Sequence, residues 1–231
     1  MTRIFLFGPT GGVGQEILKQ AADRGITVRA GERSWDEDPA PEREYERREV
    51  DVLKDDLAPL FEGCDAVVSA IGLPRDPSTL INPPPLYTEG AVRMVQGMRK
   101  ASVKRLIVIS AAFADQDTDV PAWFLGATAP LRRIFRQMAE MERVLRVADD
   151  IDWTAVRPGW LLDRELTADY QVDAERMPRG TLRTRRADVA HFMLECLQED
   201  RFVQQCPFVA RREASELEGP SALLEEFSIM G

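Results

Sequence analysis

Residues 4–18, IFLFGPTGGVGQEIL, set four apolar residues in front of glycines at 8, 11, 12 and 14, then resume with helix formers. The run RIFLF (3–7) is β-rich and stops at Gly8. VGQEILKQAADRG then carries Val13, Ile17, Leu18 and Ala21 at helical spacing up to Gly25, a C-terminal stop. The stretch is predicted to be a strand, a tight turn and a helix. A helix that begins at such a turn offers unpaired N–H groups and the positive end of its dipole, so an anion is received by backbone rather than by side chains. Gly8, Gly11 and Gly14 form G-x-x-G-x-x-G, with Thr10 as a hydroxyl donor and the Gly11-Gly12 pair leaving backbone bare. An ordinary glycine-rich turn is the alternative; the placement between first strand and first helix favours the phosphate cradle.

Such a cradle suits the composition. The chain has 231 residues, 44% of them hydrophobic, which fits one globular unit with a sizeable core. Its 39 acidic residues outweigh 30 Lys plus Arg, for a net charge of −9, so attraction to nucleic acid or anionic lipid is not expected. Cys64, Cys196 and Cys206 are too scattered for a disulfide framework, and with His191 as the single histidine no metal cluster is expected. No signal-like start and no long apolar run occur, so a cytoplasmic, non-membrane protein is expected.

Further along, strand-like and helix-like segments alternate. ITVRA and REVDV read as strands two and three, separated by the polar, proline-punctuated SWDEDPAPEREYERR. LAPLFEG reads as a helix and CDAVVSAIG as a buried fourth strand. PRDPSTLINPPP reads as a loop and YTEGAVRMVQGMRKAS as a helix. VKRLIVIS is a fifth strand, PLRRIFRQMAEMERVLRVADD a long amphipathic helix, DWTAVRPG a sixth strand and RRADVAHFMLECLQE a late helix, with a seventh strand near QCPFVA. This alternation implies an α/β fold, a doubly wound parallel sheet with helices on both faces. Residues 1–210 are expected to form a single domain with substrate-side insertions at about 111–130 and 160–182. Residues 211–231 are expected to be an acidic tail or a docked terminal helix.

FGPTGGVG, CDAVVSAIG, VKRLIVIS, DWTAVRPG and RRADVAHFML, in this order, resemble the motifs of atypical short-chain dehydrogenase/reductases with an NAD(P)-binding Rossmann fold, especially the NmrA-like and biliverdin IXβ/flavin reductase branch. The resemblance spans roughly residues 3–210. It implies a sheet ordered 3-2-1-4-5-6, with a dinucleotide across the carboxyl ends of the strands and a small-molecule substrate beside the nicotinamide. Gly8, Thr10, Gly11, Gly12, Val13 and Gly14 are then the cofactor's turn. Past strand two, Val28, Ala30 and Arg33 match the related VxAxxR ending, which favours NADP(H) over NAD(H), whereas Glu32 stands where NAD-specific relatives carry an acid. Asp51 and Val52 resemble the pair at the adenine edge, or form an ordinary strand end. Ala70, Ile71 and Gly72 close the fourth strand near the ribose and phosphates, with the strand itself serving the core.

For chemistry the resemblance offers less. Typical members of the wider superfamily use a tyrosine and a lysine in Y-x-x-x-K to protonate an alkoxide; Ile134 and Met138 stand in those places. Ser110 matches the family serine and could orient a carbonyl or a flavin nitrogen, or simply cap a backbone group. Pro158 and Trp160 follow strand six beside the nicotinamide, Trp160 standing where flavin-reductase relatives often have histidine. Phe113, Trp123 and Phe124 would form an aromatic lid or tuck into the core. Tyr87 and Tyr170 are packing residues unless one reaches the site, His191 is expected to lie far from the strand ends, and Asp188 to cap the late helix or pair with a cation.

Two functions therefore stand open: an NAD(P)H-dependent reductase of a small planar or conjugated acceptor such as a flavin, quinone or carbonyl compound, and a non-catalytic NAD(P)-binding sensor of NmrA type. An isomerase or dehydratase using the cofactor transiently is a third. A monomer or homodimer is expected.

Overall fold

The computed structural model describes residues 2–35, 45–73, 77–114, 118 and 120–222. Its strands are β1 (Arg3–Phe7), β2 (Thr27–Glu32), β3 (Glu46–Glu49), β4 (Ala66–Ser69), β5 (Arg105–Ile109), β6 (Asp152–Pro158), β7 (Trp160–Leu162), β8 (Gln171–Asp173), β9 (Arg183–Arg185) and β10 (Phe208–Ala210). Its helices are α1 (Gly12–Asp23), α2 (Ala58–Phe61), α3 (Pro77–Ile81), α4 (Leu86–Ala101), α5 (Ala122–Ala127), α6 (Arg132–Arg146), α7 (Arg186–Gln198) and α8 (Ser215–Glu218). The main sheet has eight strands in the order β3-β2-β1-β4-β5-β6-β10-β8. Every pairing in it is parallel except β10 with β8. The strand order reverses between β1 and β4, the switch point at which doubly wound sheets take ligands.

Strands with two buried faces feed two cores. Phe5, Phe7, Val67, Leu106, Val108, Trp153 and Ala155 point to the side covered by α2, α4 and α6. Ile4, Leu6, Ala66, Val68, Ile107, Ile109 and Val156 point to the side covered by α1 and α7. This is why β1, β4 and β5 read as continuous apolar runs rather than alternating ones. The amphipathic α6 buries Ile134, Met138, Met141 and Leu145, and α1 buries Val13, Ile17 and Ala21.

Several elements depart from expectation. The third strand is ERRE at 46–49, ahead of the predicted REVDV. As an edge strand it needs no apolar face, and its register is fixed by main-chain pairing with β2 and by Arg29 Nε donating to Glu46 Oε2 at 2.8 Å. Val50 and Val52 are buried just beyond it. The loop expected at 74–85 contains α3. The helix expected from 130 to 150 is shorter, because Pro130 sits in a 3₁₀ turn, Ala129–Leu131, that leads into α6. Besides the expected seventh strand, β10, the sheet gains β8, while β7 and β9 pair in parallel beside it. The polar stretch at 36–44 and the last nine positions, 223–231, lie outside the described residues. The tail's beginning is docked: buried Glu213 accepts from Arg185 Nε at 2.7 Å and pairs with Arg211 Nη1 at 2.8 Å.

Candidate functional site

The turn after β1 is shaped by absent side chains. Gly8 has φ +70°, and a methyl group there would lie 2.8 Å from the Ala70 carbonyl oxygen at the end of β4. At Gly14 a methyl would overlap the Gly8 carbonyl oxygen outright and lie 2.8 Å from Pro9 Cα. These two glycines let β1, β4 and α1 close on one another. Gly11 is different: its nearest neighbour would be the Gly8 oxygen at an ordinary 3.6 Å, so bare backbone there is not demanded by packing. Such a cradle, with α1 starting at Gly12 and no acidic residue in its first turn, fits a diphosphate. Val13 turns its side chain inward and is buried.

At the end of β2, Thr10 Oγ1 donates to Glu32 Oε2 at 2.8 Å and the Arg33 N–H donates to Glu32 Oε1 at 3.0 Å. The carboxylate is thereby tied to the glycine turn, while Arg33 is exposed. Asp51 closes its own turn, accepting from Leu53 N–H at 3.0 Å and pairing with Lys54 Nζ at 2.9 Å, and the Lys54 contact holds its carboxyl below the usual range. Val52 is buried against Gly90 on α4. Beyond β4, Ala70 is buried, Ile71 half-buried and Gly72 exposed, with open space where a side chain would project.

Ser110 follows β5 and is buried. Its Oγ donates to Glu142 Oε1 at 2.8 Å, and Glu142, on α6, is also buried. Arg157 on β6 grips the same carboxylate with Nε at 2.9 Å and Nη2 at 2.6 Å, and its guanidinium lies 4.9 Å from the Phe208 ring centre. Neither partner was recognised from the sequence. The signal was there: one acid on the apolar face of α6, four residues past Met138, and one arginine inside the otherwise apolar WTAVRP. Opposite charges in two neighbouring buried stripes are candidates to pair with each other.

After β6, Pro158 and Gly159 lead into Trp160. A methyl at Gly159 would stand 2.6 Å from the Leu182 carbonyl oxygen, so the chain passes β9's approach without clearance. Trp160 is buried, its ring edge-on to Phe124 at 5.7 Å and tilted against Phe113 at 6.5 Å. The aromatics at 113–124 pack inward: Phe124 is fully buried and Trp123 half-buried. On α6, Ile134 and Met138 are buried in the same core as Tyr87. Tyr170 and His191 meet elsewhere, Tyr170 Oη and His191 Nδ1 being 2.8 Å apart. Burial pushes the tyrosine up and the imidazole down. Asp188 at the start of α7 accepts from Thr167 N–H at 2.8 Å and from its hydroxyl at 2.9 Å.

Burial raises the thiols of Cys206 to about 11 and Cys196 to about 12, so both stay protonated. Among the described residues no cluster suits a metal ion, and no helix is long and apolar enough to cross a membrane.

A doubly wound sheet with a glycine turn at its switch point, facing an acid at the end of β2, defines the class of dinucleotide-binding α/β proteins. The chain belongs to the NAD(P)H-binding family, whose profile matches residues 8–200. It is 27% identical over 226 residues to an uncharacterized chloroplastic protein of Arabidopsis thaliana, covering 92% of this chain and 78% of that one. Its fold is shared with an oxidoreductase from Lactococcus lactis, at 23% identity and a TM-score of 0.75, with 98% and 97% of the two chains covered. A candidate NADH-flavin reductase from Streptococcus pneumoniae also superposes, at 23% identity and a TM-score of 0.73, with 92% and 100% covered.

Proposed function

We propose that the chain is an NAD(P)H-dependent reductase that passes hydride to a small planar or conjugated acceptor, such as a flavin, a quinone or a carbonyl compound, without a tyrosine–lysine pair. The observation that carries this is the glycine cradle joined through Thr10 to Glu32. When bound, the reduced nicotinamide supplies the hydride. The chain's part is to bind and orient. The backbone from Gly8 to Gly14 receives the diphosphate, Glu32 takes the ribose hydroxyls, and Gly72 leaves room beside the ribose. The rigid aromatic group of Phe113, Phe124 and Trp160 backs the turn at Pro158 near the nicotinamide.

The polar network bears on proton supply. Arg157 donates twice to the Glu142 side chain and Ser110 Oγ donates to it as well, so the Ser110 proton is committed to Glu142. Ile134 and Met138 carry no transferable proton. A flavin or quinone, which can take its proton from solvent after hydride arrives, suits such a site better than an unactivated carbonyl. The names of the pneumococcal and lactococcal neighbours agree with this reading. Action on a small molecule rather than nucleic acid fits the net charge of −9, and a cytoplasmic monomer or homodimer is part of the same proposal.

The expectation of NADP(H) rests on Arg33. Glu32, tied to the turn, argues the other way, because a 2′-phosphate would meet that carboxylate whereas a 2′-hydroxyl would donate to it. We read NADH as the tighter ligand. The same committed Ser110 proton and the apolar Ile134 and Met138 on α6 favour, as a second reading, a sensor that binds the dinucleotide without turnover. Nicotinamide absorbance followed with flavin mononucleotide and with a small quinone separates the two. Oxidation proportional to protein concentration is expected. Saturable binding with neither acceptor reduced would overturn the reductase in favour of the sensor.

A further inference from the structure

Resting on the dinucleotide reading, we propose that Arg186 clamps the diphosphate from above the glycine turn and exchanges Asp163 for it on binding. Arg186 opens α7, far along the chain from the turn, yet its side chain lies over Gly12. A methyl group at Gly12 would stand 2.7 Å from Arg186 Cδ and 2.9 Å from Nε and Nη1. The Arg186 side chain thus occupies the space beside Gly12 into which a side chain there would project. The start of α7, which carries Arg186, is held against α1. Gln20 Nε2 on α1 donates to the Ala187 carbonyl at 2.9 Å in a buried bond, and Val13 and Ile17 share a core with Val189 and Phe192.

The charge balance points the same way. The chain carries −9 overall, and the first turn of α1 brings only partial charge from its dipole and N–H groups, to which a guanidinium would add a full positive charge. Arg186 Nη1 pairs with Asp163 Oδ2 at 3.1 Å, and that carboxylate is 85% exposed. Exposed pairs of this kind contribute little to stability and are readily exchanged. A diphosphate offers the guanidinium a planar, two-toothed partner instead.

The test is a binding titration rather than turnover. ADP and NADH are titrated into the wild type, Arg186→Met, Arg186→Lys and Asp163→Asn, with adenosine read by ligand-observed NMR as the phosphate-free control. Arg186→Met is expected to weaken ADP and NADH about 10- to 100-fold, the worth of a lost charge-assisted contact, and to leave adenosine unchanged. Arg186→Lys should recover part of the loss, and Asp163→Asn should tighten ADP. Wild-type ADP affinity in Arg186→Met, or equal weakening of ADP and adenosine, would overturn the clamp while leaving the dinucleotide reading intact. A wild type that binds neither ADP nor NADH would overturn both.

Discussion

The two ends of the candidate site are built on opposite principles. The β1–α1 turn works by leaving side chains out: Gly8 and Gly14 let three elements meet, and the proposed diphosphate would meet backbone there. Where β5, α6 and β6 meet, it is side chains that join the elements, since Ser110, Glu142 and Arg157 form a buried polar chain with every link between 2.6 and 2.9 Å. The first region is cheap in desolvation and specific in shape. The second is costly to bury and tolerable only when complete. Substitution should therefore hurt the two regions differently.

The largest effect is expected where one charge is removed from the buried pair. Glu142→Leu removes both contacts that the buried Arg157 guanidinium makes with that carboxylate and is predicted to cost about 3–5 kcal/mol in urea denaturation. Replacing both partners, Glu142→Leu with Arg157→Leu, should restore most of that loss; a double variant as unstable as the single one would break the contrast. Gly14→Ala comes next, since backbone rather than a flexible side chain must give way. It should cost about 1–3 kcal/mol and abolish nucleotide binding. Gly11→Ala, with ordinary clearance, should leave stability within about 0.5 kcal/mol while weakening nucleotide affinity.

A smaller effect is expected from acid, at the docked tail. Arg185 and then Arg211 hold the Glu213 carboxyl below its usual range, and Arg211 does the same for Asp169. The unfolded chain takes up these protons first as pH falls, so the stabilisation is complete above the ordinary carboxylate range, about pH 4–4.5, and is lost as pH drops through the lower folded values. Melting curves should show Glu213→Gln less stable than wild type at pH 7, with the gap closing toward pH 3. The smallest effect belongs to His191, whose folded value lies below 6.5 through burial. The unfolded chain binds that proton first, so its contribution falls as pH drops below about 6.5, and His191→Gln should flatten that part of the stability profile.

The sequence exposes these regions unequally for a physical reason. Glycine spacing and apolar runs are local, so β1, α1, β4, β5 and the doubly wound α/β class could be read directly from residues near one another, whereas the strand order came with the family resemblance. Glu142 and Arg157 meet across two elements, and Arg186 reaches Gly12 over more than 170 positions, so neither partnership leaves a local pattern. The edge strand β3 was expected two residues too late for another reason. ERRE has no apolar signature, and it is held by main-chain pairing with β2 and by the Arg29–Glu46 pair. The aromatics of 113–124 were legible as residues but not in direction, because an inward-packed loop and an open lid have the same composition.

The most direct test of the account is a fluorescence titration of the purified chain with NADH and NADPH, run beside Gly11→Ala. The account predicts saturable binding of both nucleotides, NADH the tighter, with affinity lost in Gly11→Ala at unchanged thermal stability. Absence of binding of either nucleotide to a folded wild type would contradict it.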